Sequence, residues 1–154
     1  MIKFLCITIL IFANINTASA FERILFLGDS HSYGQCGKVL DKYFRSIAQE
    51  VVSVSSCGSS PSTWTTQGKN FKTTNCGYWR KDNRSETRVK SHQLNSHQNE
   101  DQDFNPDLTV ISLGTNILSS QTSINRELPQ IKKMAELAKK NGRECIWIGP
   151  PDLQ

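Results

Sequence analysis

The chain has 154 residues, 37% of them hydrophobic and 21% charged, with a formal net charge of +4. By length that is one domain with enough apolar material for a core. A mean hydropathy of −0.43 excludes a multi-pass membrane protein, five cysteines and nine glycines exclude a knottin or a collagen, and the mild excess of base gives no ground for nucleic-acid binding.

Residues 1–20 read as a secretory signal peptide. Lys3 is their only charge, Phe4 to Phe12 is an apolar run, and Thr17-Ala18-Ser19-Ala20 supplies small residues at the cleavage spacing. A bilayer span needs roughly 20 apolar residues, and Asn14 and Asn16 interrupt this one. Cleavage is expected after Ala20, giving a secreted or periplasmic domain over 21–154 with no stable membrane insertion. In an oxidising compartment Cys36, Cys57, Cys76 and Cys145 become disulfide candidates. Cys57 and Cys76 bracket a polar loop and are the favoured bridge, worth about 3 kcal/mol in the chain-entropy model. Cys36 and Cys145 are then free, buried thiols. There is no CxxC and no cysteine pair with a His pair nearby at ligand spacing, so no metal site is expected.

The elements follow in chain order. Arg23 to Leu27 predicts a buried strand ended by Gly28-Asp29-Ser30. Leu40, Tyr43, Phe44 and Ile47 fall at helical spacing within Gly37 to Glu50. Val51 to Val54 and Leu108 to Leu113 predict further strands. A helix follows with Leu128, Ile131, Met134, Leu137 and Ala138 inward, Pro129 either in its first turn or kinking it, and Asn141-Gly142 at its end. Cys145 to Ile148 is a fourth strand, closed by Gly149-Pro150-Pro151. Apolar strands alternating with amphipathic helices predict an α/β fold, a three-layer doubly wound parallel sheet. Between strands two and three a polar insertion, about 55–107, far exceeds a typical loop of about 4–6 residues. It reads as irregular, with one weakly periodic helix near Ser85 to Ser96. Its Lys69, Lys72, Arg80, Lys81, Arg84, Arg88 and Lys90 face only Asp82 and Glu86. That excess suits either a solvated loop or a cover that meets an anionic polymer.

Ligands of such sheets sit outside the carboxyl ends of the strands, and three turns there carry chemistry. Ser30 follows a strand and opens a helix, where its own N–H and the helix dipole favour negative charge. Gly58 offers a second N–H with no side chain in the way, and Asn116 a carboxamide donor. Alone, Ser30 reads as a helix cap and Gly58 and Asn116 as turn residues. In order, each after a strand, they describe a serine nucleophile with an oxyanion hole.

The set Gly28-Asp29-Ser30-His31-Ser32 after Ile24-Leu25-Phe26-Leu27, then Gly58, then Gly114-Thr115-Asn116 after Pro106-Asp107-Leu108, resembles the SGNH (GDSL-type) hydrolases across Phe21 to Gln154. The resemblance implies a flavodoxin-like fold and ester hydrolysis through an acyl-enzyme, without metal or organic cofactor. Ser30 is then the nucleophile, and the Ser30 N–H, the Gly58 N–H and the Asn116 amide form the oxyanion hole. Ile117 stands where the family usually has Asp, and the family's Asp-x-x-His block is not matched. The domain therefore reads as an SGNH domain cut short, its last strand and helix missing. His31 adjoins Ser30 and diverges from it at a helix start, while His92 and His97 lie in the polar stretch and read as solvated.

The expected function is an exported serine esterase that removes small, acetyl-like groups from a carbohydrate or envelope glycan. Asp29, Trp64 and Trp79 are its candidate substrate-binding residues, the aromatic faces suiting sugar rings. The alternative is a non-catalytic SGNH-like binding module in which Ser30 only caps a helix.

Overall fold

A computed structural model describes residues 20–65, 71–73, 76–117 and 120–149. The expected signal peptide up to Ser19, Lys69 and the closing Pro150-Pro151 lie outside them. Among the described residues no helix is long and apolar enough to cross a membrane.

The elements are β1 (Phe21–Gly28), α1 (Ser30–Tyr33), α2 (Gln35–Ile47), β2 (Ala48–Ser56), α3 (Pro61–Thr65), β3 (Tyr78–Lys81), β4 (Glu86–Val89), α4 (His97–Phe104), β5 (Leu108–Ser112), α5 (Gln121–Ala138) and β6 (Glu144–Ile148). They form a six-stranded sheet in the order β4-β3-β2-β1-β5-β6. β1, β2, β5 and β6 are mutually parallel, as the unbroken apolar runs predict. β3 and β4 are antiparallel, so the sheet is mixed rather than wholly parallel. This is an α/β fold of flavodoxin-like kind.

Successive residues of each strand supply opposite faces. Leu25, Leu27, Val52, Val54, Ile111 and Leu113 pack with Trp64 of α3, Phe104 of α4 and Met134 of α5. Ile24, Phe26, Val51, Leu108 and Val110 pack with Phe44 of α2. Three helices cover one face and α2 the other, which makes the three layers.

The polar insertion is largely structured: it contains α3, the β3–β4 hairpin and α4. The segment expected to be helical, Ser85 to Ser96, instead holds β4, and the helix begins at His97 with Ser96 as its N-cap. The hairpin is tied to the sheet through Asp41, a fully buried carboxylate on α2. Asp41 accepts hydrogen bonds from Arg45 Nε at 3.1 Å, Ser53 Oγ at 2.8 Å and Lys81 Nζ at 2.7 Å. Burial alone would raise its pKa; the Arg45, Lys81 and Ser53 hydrogen bonds outweigh that and hold it below the ordinary value. Arg80 reaches across to the buried carboxylate of Glu100 on α4.

The Cys57–Cys76 bridge forms, with Cα atoms 5.8 Å apart. Cys36 and Cys145 are free as expected, but Cys36 is exposed and Cys145 half-buried. Two helix faces differ from their apolar patterns. On α2 Tyr43 is 56% exposed while Asp41 turns inward. On α5 Leu128 is 54% exposed and Glu127 is fully buried, and Pro129 lies in the helix interior rather than its first turn. Left-handed Asn141 and Gly142 end that helix and turn the chain into β6.

Two expectations for stability follow. Glycine inside a helix normally costs about 1 kcal/mol relative to alanine, yet a Cβ on Gly37 of α2 would fall on the Ser32 carbonyl of α1. Gly37→Ala is therefore expected to lose about 2 kcal/mol, measured by urea unfolding; a neutral or stabilising result would contradict this packing. His97 is fully buried and neither ring nitrogen has a hydrogen-bond partner among the described residues. Burial, then the Arg143 charge, lower its pKa from 6.5 to about 4. The unfolded ring takes its proton first as pH falls, so this contribution is complete above pH 6.5 and disappears on the way to about 4. Wild type should lose roughly 3 kcal/mol more over that window than His97→Phe, read from denaturant melts at stepped pH; parallel slopes would refute it.

Candidate active site at the sheet rim

β1 pairs with β2 and β5 in level register: Gly28 lies opposite Ser55 on one side and Ser112 on the other. The chain leaves β1 for β2 and later returns to the opposite side of β1 as β5, so the order of strands reverses here. Ligand crevices of open α/β sheets form at such reversals. The turns holding Asp29-Ser30, Cys57-Gly58 and Gly114-Thr115-Asn116 therefore leave the sheet side by side.

A ring of hydrogen bonds ties these turns together. The Asp29 N–H donates to Ser112 O at 3.3 Å, Ser59 Oγ donates to Gly28 O at 3.3 Å, and Asn116 Nδ2 donates to Ser59 O at 2.8 Å. Each of the three turns is thus bonded to the other two. Trp64 Nε1 supports the ring from below by donating to Ser59 Oγ at 3.2 Å.

Ser30 is half-buried and begins α1, with Asp29 as N-cap. Asp29 itself is 2% exposed, and its carboxylate accepts the His31 N–H at 3.0 Å. Burial pushes its pKa up, against the lowering by hydrogen bonds from the His31 and Gly114 backbone. That carboxylate is a structural link between the first and third turns, not a group open to a ligand. Gly58 is exposed at φ +76°, a left-handed conformation that favours glycine. Among the described residues neither the Ser30 nor the Gly58 N–H is taken up by a hydrogen bond, and Asn116 commits one of its two amide hydrogens. Gly58 and Asn116 line the same cavity of about 400 Å³.

Trp64 and Trp79 are 0% and 1% exposed. Trp64 belongs to the core, and Trp79 donates to Glu86 Oε1 at 3.0 Å beneath the Arg88 guanidinium. Neither ring presents a face on which a sugar stacks, which corrects the expectation placed on them. The histidines are also corrected. His92 is half-buried and stacks on Tyr78, ring centroids 4.0 Å apart, and His97 is sealed in the core. His31 points from an exposed position beside Ser30. Among the described residues no hydrogen bond joins a histidine side chain to Ser30.

Several residues of the rim escape sequence reasoning. Ser59 closes the ring, and Ser60, Ser62, Arg126 and Gln130 share the cavity wall with Gly58 and Asn116. Behind them Glu127 accepts from the Ser62 N–H at 2.7 Å, Ser62 Oγ at 2.8 Å and Arg126 Nε at 3.2 Å. The available signals were the Ser59-Ser60-Pro61-Ser62 run directly after Gly58, and the spacing that puts Glu127 in phase with Ile131, Met134 and Ala138. Comparison of the chain with protein-family models, curated proteins and solved structures returned no match.

Proposed function

We propose that this rim is the site of an SGNH-type serine ester hydrolase acting on small acyl esters, acetyl-like groups on a carbohydrate or envelope glycan. The observation that carries the reading is the hydrogen-bonded ring that joins the turns after β1, β2 and β5. It links the turn that carries Ser30 to the turns that carry Gly58 and Asn116, and Gly58 and Asn116 share a cavity wall. The chemistry follows from those groups. Ser30 Oγ adds to the ester carbonyl, and the carbonyl oxygen gains negative charge within reach of the Ser30 and Gly58 N–H groups and the Asn116 amide. Collapse breaks the bond to the leaving alcohol, which carries away the proton that left Ser30. Water then releases the acid from the acyl-enzyme. The disulfide supports export, since such bridges persist in oxidising compartments.

A second reading, a non-catalytic SGNH-like binding module, has its own support in the histidines: His92 is stacked, His97 sealed, and His31 set on the neighbouring residue. A serine hydroxyl needs a base within about 2.6–3.2 Å. Serine hydrolases stripped of a catalytic partner still keep about 10³–10⁴-fold over water through the oxyanion hole and binding.

The two readings separate on p-nitrophenyl acetate with the purified chain. The esterase reading expects turnover above Ser30→Ala, an acetylated Ser30 detectable by mass spectrometry, and a loss of about 10²-fold in kcat for Asn116→Ala. Equal rates for wild type and Ser30→Ala, with no acetylated protein, overturn it in favour of the binding module.

A further inference from the structure

The cavity that adjoins Gly58 and Asn116 is lined entirely by polar side chains and glycine, and the polarity of each group can be worked out. Glu127 is fully buried and accepts three hydrogen bonds, from the Ser62 N–H, Ser62 Oγ and Arg126 Nε. Because Ser62 Oγ gives its proton to Glu127, the 3.0 Å contact between Ser60 and Ser62 has Ser60 as donor. Thr65 Oγ1, with a single proton, lies 2.6 Å from Gln130 Oε1 and 3.0 Å from Pro61 O, so Gln130 is tied to α3. Asn116 has one amide hydrogen left. Arg126 is pinned through Nε by Glu127, while its two terminal nitrogens have no partner among the described residues and the side chain is 66% exposed. The wall therefore offers the second Asn116 amide hydrogen and ends in a guanidinium fork whose orientation a buried carboxylate fixes in advance.

A guanidinium fork beside an amide donor suits a planar anion with oxygen acceptors. We infer that Arg126 is a specificity-determining residue that takes the carboxylate of an acidic sugar, with Asn116 donating to a ring or ester oxygen. This rests on the esterase reading for its place beside the acyl group: the substrate class becomes an acylated, uronate-bearing glycan. The buried pair also explains why an acidic residue occupies an inward position of α5. Glu127 holds the fork by one edge and leaves the other edge to the ligand. Arginine anchored in this way loses less freedom on binding than a loose surface side chain.

Titration calorimetry of the full chain at pH 7 with trigalacturonate, and with galactotriose as the neutral probe of equal length, tests the inference. Trigalacturonate should bind about tenfold more tightly, and Arg126→Gln should remove that preference while leaving the Kd for galactotriose unchanged. Arg126→Lys, which retains charge without the fork, should keep less than half of the preference on a logarithmic scale. Equal affinity of wild type for both sugars, a preference that survives Arg126→Gln, or no binding of either at millimolar concentration overturns it. Should Ser30→Ala hydrolyse p-nitrophenyl acetate at the wild-type rate, the esterase reading falls while the carboxylate site stands on its binding data.

Discussion

Level parallel pairing of β1 with β2 and β5 is the constraint on which the rim depends. Adjacent strands lie about 4.8 Å apart, so three strands that end at one level present three turns within about 10 Å. Slipping a strand by one residue exchanges its two faces. In most half-buried sheets that slip is forbidden because it would bury polar residues. In β1 it is not, because Ile24 and Phe26 face one apolar layer and Leu25 and Leu27 the other. Register must be set by polar groups at the strand ends. Asp107 does this at the start, where its carboxylate accepts the Glu22 and Arg23 N–H groups at 2.8 and 2.7 Å and its carbonyl accepts from Glu144. The Asp29, Ser59 and Asn116 hydrogen bonds do it at the finish. The bonds that assemble the candidate site are thus also bonds that hold the sheet in register.

Buried charge follows a similar economy. Asp41, Glu100, Asp101 and Glu127 are all nearly or fully buried, and each meets a base from another element or from its own helix: Arg45 with Lys81, Arg80, Arg143 and Arg126 respectively. An unpaired buried carboxylate is strongly unfavourable, so these partners are fixed by the acids they serve. Part of the basic excess in the 55–107 stretch is accounted for in this way, with Arg80 and Lys81 turned toward buried acids and Arg88 toward Glu86. The notion of a basic cover over the site loses those cations. Positive charge at the rim comes instead from Arg126, on the far side of the sequence.

The legible parts of the fold were those written in apolar side chains. β1, β2, β5 and β6 are short apolar runs closed by glycine or turn residues, and α2 and α5 carry enough apolar spacing to be seen. What escaped was structure whose buried positions are polar. α4 has a helical period, His97, Glu100, Asp101 and Phe104, but three of the four are ionisable, so hydrophobic patterning registers nothing there. The β3–β4 hairpin pairs Tyr78-Trp79-Arg80-Lys81 with Glu86-Thr87-Arg88-Val89, and all of β4 is exposed. Tertiary ion pairs place these segments, and a local window does not contain them. At the site the same division holds. Ser30, Gly58 and Asn116 were visible as special residues after strands, whereas Ser59 and Glu127 act through hydrogen bonds spanning dozens of residues, and Arg126 is held by Glu127 beside it.

The two readings of the rim differ in a single ingredient. Donors that stabilise an oxyanion also hold a carbonyl or carboxylate oxygen in a ground state, so both proposed readings use the Gly58 N–H, the Asn116 amide and the Arg126 fork in the same way. Catalysis adds the demand that a base lie next to Ser30 Oγ, and the three histidines are held by other features: a stacked ring, a dry core, and the α1 backbone. Binding and chemistry at this rim are therefore separable by construction. The hydrogen-bonded ring is common to both proposed readings, because it is what holds the three turns side by side.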